Sequence, residues 1–269
     1  MRKMQGFTLV ELVAVIVILG ILGVATSKFL VFGTQLYIEA TDRQHVLSKS
    51  RFLVERLTRE LRETVPNSVR VSADSLCLGY VPIKASGAYR TDTGAEMPPI
   101  DPNDGSLLDV VSWQGNYAAN DKIFIYPTRS SDVYISNRKV ATISSVSGTS
   151  PNYQLSLAFT NADDFFEEGS PQQRYYTANS SVTWCLYRNK MYRYQSTGIS
   201  PFMFSARSIS RIGVLMSEDL TNTLPGEPPF TYRSGALYRN SVVNMYFEFN
   251  ANQSENMFFN QEVHIANVP

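Results

Sequence analysis

Histidine, cysteine and tryptophan are scarce in this chain, with two of each in 269 residues, and each scarcity removes a kind of chemistry. His45 and His264 are too few and too far apart in sequence for an HExxH zinc helix, and they give a serine-rich chain no credible triad base. Both read as structural residues. Cys77 and Cys185, without clustered histidines, cannot make a structural zinc centre. No G-x-S-x-G elbow, Walker A loop or G-x-G-x-x-G turn occurs. The chain is therefore expected not to be an enzyme and to need no cofactor.

Net charge is missing too. Lysine plus arginine number 24, as do aspartate plus glutamate, so no overall field draws the chain to nucleic acid, which is not an expected partner. There is no internal repeat. At 43% hydrophobic residues the chain has enough apolar material for a core beyond any anchor, expected as one domain. The cysteine pair has two readings: one disulfide in an oxidising compartment, or two buried thiols.

What the chain does have is a long apolar run at its N-terminus. Only Arg2 and Lys3 are charged ahead of it, and Phe7 to Ala25 holds a single acid, Glu11. As a helix this segment spans roughly 28 Å, close to the ~30 Å apolar thickness of a bilayer. A secretory signal would end in an A-x-A-like site, and Thr26-Ser27-Lys28-Phe29 offers none. The plainer alternative is an uncleaved signal anchor with Arg2 and Lys3 on the cytoplasmic side. That leaves Glu11 unexplained, because an acid in a span costs about 2.5 to 3.5 kcal/mol at its centre and less near an end. Cleavage between Gly6 and Phe7 would create an amine one helical turn before Glu11, on the same face. An amine from a neighbouring chain would neutralise it as well, and would make the acid a register mark for identical helices packed side by side.

The segment Gly6-Phe7-Thr8-Leu9-Val10-Glu11-Leu12, between a short basic leader and an apolar helix, resembles the processing motif of type IV prepilins. The resemblance implies cleavage after Gly6 by prepilin peptidase, N-methylation of Phe7, and Glu11 as the assembly glutamate. It implies as partners the other pilins of the filament, the inner-membrane assembly platform and membrane lipid. The implied location is the bacterial inner membrane, single-pass, with a cytoplasmic N-terminus and a periplasmic C-terminal domain, and afterwards a surface pilus. Many members carry a proline near Lys28, where this chain has none, only Gly20 and Gly23 earlier in the run.

Beyond the span, Phe29, Phe32, Leu36, Ala40, Leu47, Val54, Leu57 and Leu61 recur at helical spacing. The pairs Arg51–Glu55, Glu55–Arg59, Arg56–Glu60 and Arg59–Glu63, all at i,i+4, read as a solvated helix face. Pro66 stops the run, so one helix is expected from Phe7 to about Thr64. Short β-type segments follow: Lys122 to Tyr126, a hairpin of Val182–Tyr187 and Met191–Tyr194 around Arg188-Asn189-Lys190, an alternating strand at Val242 to Phe249, and a closing strand from Phe259 to Ile265. Ala85 to Ser106 and Ser217 to Gly235 read as long surface loops. The fold expected is α+β, a long N-terminal helix packed on an antiparallel β-sheet. It divides into a leader at 1–6, a transmembrane half-helix at 7–27, an amphipathic half at 28–65 and a β-rich domain at 66–269.

This layout resembles the larger minor pilins, and Trp184-Cys185-Leu186-Tyr187 with the ending Glu262 to Pro269 resembles those of the mannose-sensitive haemagglutinin pilus. Three rivals stand beside a pilus subunit: a minor pseudopilin of a type II secretion system, a carbohydrate-binding adhesin at a pilus tip, and a membrane-anchored enzyme with titratable residues clustered in a cleft. Asp101-Pro102-Asn103-Asp104-Gly105 fails as an EF-hand loop, since glycine stands where an oxygen ligand is needed. Asp163, Asp164, Glu167 and Glu168 are weak calcium candidates beside the commoner reading of a solvated acidic cluster. Tyr175 and Tyr176, near Arg174, are candidates for sugar stacking beside the commoner reading of strand aromatics.

Overall fold

A computed structural model of the chain describes residues 8–90, 98–100, 106–135, 138–160, 165–200, 205–235, 240–252 and 255–266. One helix, α1, runs unbroken over Leu9–Arg62 and ends with Arg59 and Arg62 in its last turn, cations that suit the negative end of the helix dipole. Gly20, Gly23 and Gly33 do not interrupt it. Its hydroxyls are satisfied internally: Thr26 donates to the Leu22 carbonyl at 2.8 Å, Ser27 to Gly23 at 2.8 Å and Thr34 to Leu30 at 2.8 Å.

Strands β1 (Arg70–Val71) and β2 (Cys77–Tyr80) follow, and then six strands form a closed antiparallel barrel. These are β3 (Ala85–Tyr89), β4 (Leu107–Gly115), β5 (Lys122–Ile125), β6 (Val140–Thr149), β7 (Asn152–Ala158) and β8 (Arg174–Ala178), with the short helix α2 (Ser130–Tyr134) between β5 and β6. The barrel order is β3-β4-β7-β6-β5-β8. The chain then returns to β9 (Ser180–Tyr187), which pairs with β2 and continues into β10 (Lys190–Thr197). After helix α3 (Ala206–Ile212) come β11 (Val214–Glu218), β12 (Phe230–Arg233), β13 (Ser241–Asn252) and β14 (Glu255–Ile265). Strands β1-β2-β9-β10-β11 form one sheet and β12-β13-β14 another. The α+β layout of a long apolar helix followed by antiparallel sheets is the one expected.

Three expectations change. Ala85–Tyr89 is a buried barrel strand and not a surface loop. Its first four residues, Ala85 to Ala88, are small and poor in β-propensity, and at Gly87 the space demands it: a Cβ there would meet the Val111 carbonyl oxygen at 2.0 Å and the Tyr175 hydroxyl at 2.6 Å. The second supposed loop, 217–235, contains the end of β11 and all of β12. The buried helix stripe is Val46, Ser50, Leu53, Leu57 and Leu61, whereas Phe29, Phe32 and Leu36 are exposed, so only the C-terminal half of α1 is covered.

That half lies in a core shared by both sheets. Leu53, Leu57 and Leu61 pack with Leu78, Tyr80, Val182, Trp184 and Met191 from the first sheet and with Val243, Met245, Phe247 and Phe249 from β13. The barrel has its own core, including Tyr89, Val110, Ile123, Leu155 and Tyr175. Barrel and sheet meet just past the helix end, where Val65 and Val81 pack with Phe124, Val133 and Ala178. There the Tyr134 hydroxyl donates to the Ser68 carbonyl at 2.7 Å, and burial pushes its phenol up to about 12.

Of the four i,i+4 pairs read as a solvated face, Arg56–Glu60 is made at 3.0 Å, and it belongs to a half-buried knot. Glu60 also accepts from Arg193 of β10 at 3.1 Å, from the Trp184 indole at 3.3 Å and from the Tyr80 hydroxyl. Burial pushes the Glu60 carboxyl up, but the Tyr80 hydroxyl, Arg193 and Arg56 outweigh it and hold it below its ordinary value. A carboxylate lowered by folding contributes stability above its unfolded pKa, and that stability is lost as pH falls through the folded value. Wild-type protein should therefore lose thermal stability as pH falls below about 4.5. Glu60→Gln should cost about 1 to 3 kcal/mol at pH 7 and flatten that acid dependence, as measured by unfolding midpoints from pH 3 to 8. Parallel pH curves for the two proteins would remove Glu60 from this role.

Candidate functional site

Among the described residues one helix, α1, is long and apolar enough to cross a membrane, and its most apolar window has no buried residue. From Leu9 at 78% exposure to Ile38 at 52% the large side chains point into open space. Such a surface is many times larger than the apolar patch a soluble monomer carries, so lipid or neighbouring helices must cover it.

Gly6 and Phe7 lie outside the described residues. Directly after them Thr8 caps the helix, and the cap uses Glu11. The Glu11 amide donates to the Thr8 hydroxyl oxygen at 3.3 Å, while the Glu11 carboxylate accepts from the Thr8 amide at 3.3 Å and the Thr8 hydroxyl at 3.2 Å. This capping box satisfies two helix-end donors and also gives the acid local partners in the isolated subunit. The carboxylate stays exposed at the end of α1.

Cys77 and Cys185 face each other directly across β2 and β9, with Cα atoms 4.2 Å apart, and are joined by a disulfide that closes a 108-residue separation. Everything in the barrel lies inside that loop. The acidic quartet is not brought together as a site by the residues on view: Glu168 pairs with Lys139 at 2.6 Å and Glu167 with Arg138 at 4.0 Å, while Asp163 and Asp164 lie outside the described residues. The loop Asp101 to Gly105 lies outside them as well. Among the described residues no group of three or more histidine, cysteine or acidic side chains forms a metal-binding set. His45 on α1 and His264 on β14 are both exposed.

Tyr175 is not a stacking surface. It is fully buried inside the barrel, hydrogen-bonded to Tyr117, and burial pushes its phenol far up. Tyr176, on the opposite face of β8, packs with Phe124 and Val65. The exposed aromatic nearby is Trp113, which carries no periodic signal in the sequence.

An exposed membrane-length helix that continues into a half packed beside antiparallel sheets defines a pilin-like α+β subunit. The family model described as the prokaryotic N-terminal methylation motif matches residues 1–27, which supports a type IV pilin-like or pseudopilin subunit. Motif and apolar helix together point to single-pass membrane anchoring. No curated protein and no solved structure matches the chain.

The Cys77→Ala/Cys185→Ala double variant should be less stable by about 2 to 5 kcal/mol, read as a lower unfolding midpoint than non-reduced wild type. Reducing agent should move the wild type toward the variant. An equal midpoint for all three samples would show that the bridge does not constrain the unfolded chain.

Proposed function

We propose that this chain is a minor structural subunit of a type IV pilus, made as a membrane-anchored precursor, cut by prepilin peptidase between Gly6 and Phe7 and N-methylated at Phe7. The observation that carries the reading is the pairing of a methylation motif at residues 1–27 with an α1 helix whose first half has no protein cover. The span stores the subunit in the inner membrane, with the N-terminus cytoplasmic and the β-rich part periplasmic. During assembly, at a platform in that membrane, neighbouring pilins replace lipid around Leu9 to Ile38. Glu11 then exchanges its Thr8 cap for an N-terminal amine, which fixes the axial register of the helices. The work of the molecule is assembly and not catalysis.

A low-copy role is supported by the barrel. It is inserted between β2 and β9 and seated on the segment just past α1, at the end opposite the anchor. A subunit repeated throughout a filament would have to accommodate that head at every position. The narrower assignment, a minor pilin of the mannose-sensitive haemagglutinin pilus of the MshO type, rests on the sequence likeness around Trp184-Cys185 and at the C-terminus. A pseudopilin of a type II secretion system would use the same anchor chemistry, and copy number with genomic neighbours distinguishes the two.

Mass spectrometry of the mature N-terminus should find methylated Phe7 in cells with prepilin peptidase and the intact leader in cells without it. An intact Met1 in both, or a cut near Ala25, would sink the proposal. Glu11→Ala should leave cleavage intact while lowering incorporation into sheared filaments about tenfold or more. Normal incorporation would take Glu11 out of the mechanism.

A further inference from the structure

The barrel's outer face lies away from the membrane anchor and carries a surface that its own fold does not use. We infer that the face around Trp113 and Arg174 binds an acidic saccharide, a sugar chain bearing carboxylates. The inference deepens the pilus reading by giving the exposed head a ligand, but its chemistry does not depend on which filament holds the subunit.

Of the two tryptophans, Trp184 is fully buried and Trp113 is 59% exposed. The exposure follows from strand alternation: Leu107 and Asp109 are exposed and Leu108 and Val110 buried, so Trp113 falls on the outward face of β4. The β3–β4 register slips between Ser86 and Gly87, opposite Gln114 and Ser112, so Trp113 is the extra residue of a β-bulge. The bulge leaves the indole without a cross-strand partner on β3 while Ser112 and Gly87 stay in register. Beside it the floor is low: Ala88 lies between its cross-strand partners Val111 and Arg174.

Across that floor the Arg174 guanidinium lies 5.8 Å from the centre of the Trp113 ring. Neither Arg174, hydrogen-bonded to Tyr176, nor the exposed Arg90, just past the end of β3, has an ion-pair partner among the described residues. Arg90 donates to the Asn152 side-chain oxygen at 2.9 Å, and the neighbouring acid Asp109 accepts from Gln154 at 2.9 Å. The face thus offers a flat apolar ring, a cation held over it from β8, a second cation just past the end of β3 and neutral amides at the edge.

A sugar ring stacks its C–H face on an indole, and a guanidinium takes a carboxylate through two parallel hydrogen bonds. A neutral sugar would leave the cations unmatched. Single-stranded nucleic acid also stacks on tryptophan, but it needs a continuous basic track for its phosphates. Asp109 interrupts such a track, and the chain's balanced 24 cationic and 24 anionic residues provide no general attraction.

The test uses the full-length chain in detergent micelles, titrated with oligogalacturonate, with maltotetraose as the neutral control and with a short oligothymidylate. Oligogalacturonate should bind, quench tryptophan emission and weaken as salt rises. Trp113→Ala and Arg174→Gln should each weaken it at least tenfold, Trp113→Phe should retain most of the affinity, and unfolding midpoints should stay at the wild-type value. Absence of saccharide binding, equal affinity for maltotetraose, undiminished binding by the Ala and Gln variants, or binding of the oligothymidylate alone would each overturn the inference. Cleavage at Gly6 is measured separately, so a failure here leaves the filament reading standing, and the converse also holds.

Discussion

The packed half of this molecule depends on how the C-terminal half of α1 is held between two sheets. The segment just past β11 runs beside β13, with Leu220 bridged to Phe249, the Thr221 amide donating to the Glu248 carbonyl at 2.8 Å and the Asn250 amide to the Asp219 carbonyl at 3.0 Å, and the helix packs against residues of both sheets in one core. Leu53, Leu57 and Leu61, all fully buried, provide the apolar part, each worth about 1.5 to 3 kcal/mol relative to exposure. Glu60 sets the rotation of the helix. Its carboxylate takes hydrogen bonds from Tyr80, Trp184 and Arg193, which lie on three different strands, so only a narrow range of helix positions satisfies them together.

The same helix lives in two environments. Up to Ile38 no part of the subunit covers it, while from Val46 onward one stripe is buried. Nothing in the backbone marks the change, since α1 is continuous and its hydroxyls bond to carbonyls one turn back. The division is made by the β-strands, which reach only the second half. An uncovered apolar rod with an acid near its start suits single-pass membrane anchoring. The Thr8 cap gives that acid local hydrogen-bond partners.

The barrel changes the view of the head. It enters after β2 and leaves into β9, strands that the Cys77–Cys185 bridge ties together at the end of the pair away from the barrel. The insertion therefore adds a second core without disturbing the first sheet. Lys84, just ahead of the barrel, pairs with the buried Asp121 at 2.7 Å and fixes the junction from the barrel side. Its interior is closed by Tyr175 and Tyr117, which removes Tyr175 as a ligand surface and leaves Trp113 outside.

Periodicity made much of this legible. Apolar spacing and Pro66 placed the helix within two residues of its observed end, the turn Arg188-Asn189-Lys190 placed the β9–β10 hairpin, and alternation located β13, which buries one face along its described length. Strand β3 gave no such sign: its Gly87 answers to the close approach of Val111 and Tyr175, which belong to distant segments. Glu60 looked like one more surface charge because its partners Tyr80, Trp184 and Arg193 lie 20 to 133 positions away. By itself the sequence determined the anchor, the acid within it and the single long helix, all of which rest on contacts within a few residues. Only the tertiary structure decided the barrel and the choice between a bridge and two free thiols at Cys77 and Cys185, because those are set by which remote strands come to lie side by side.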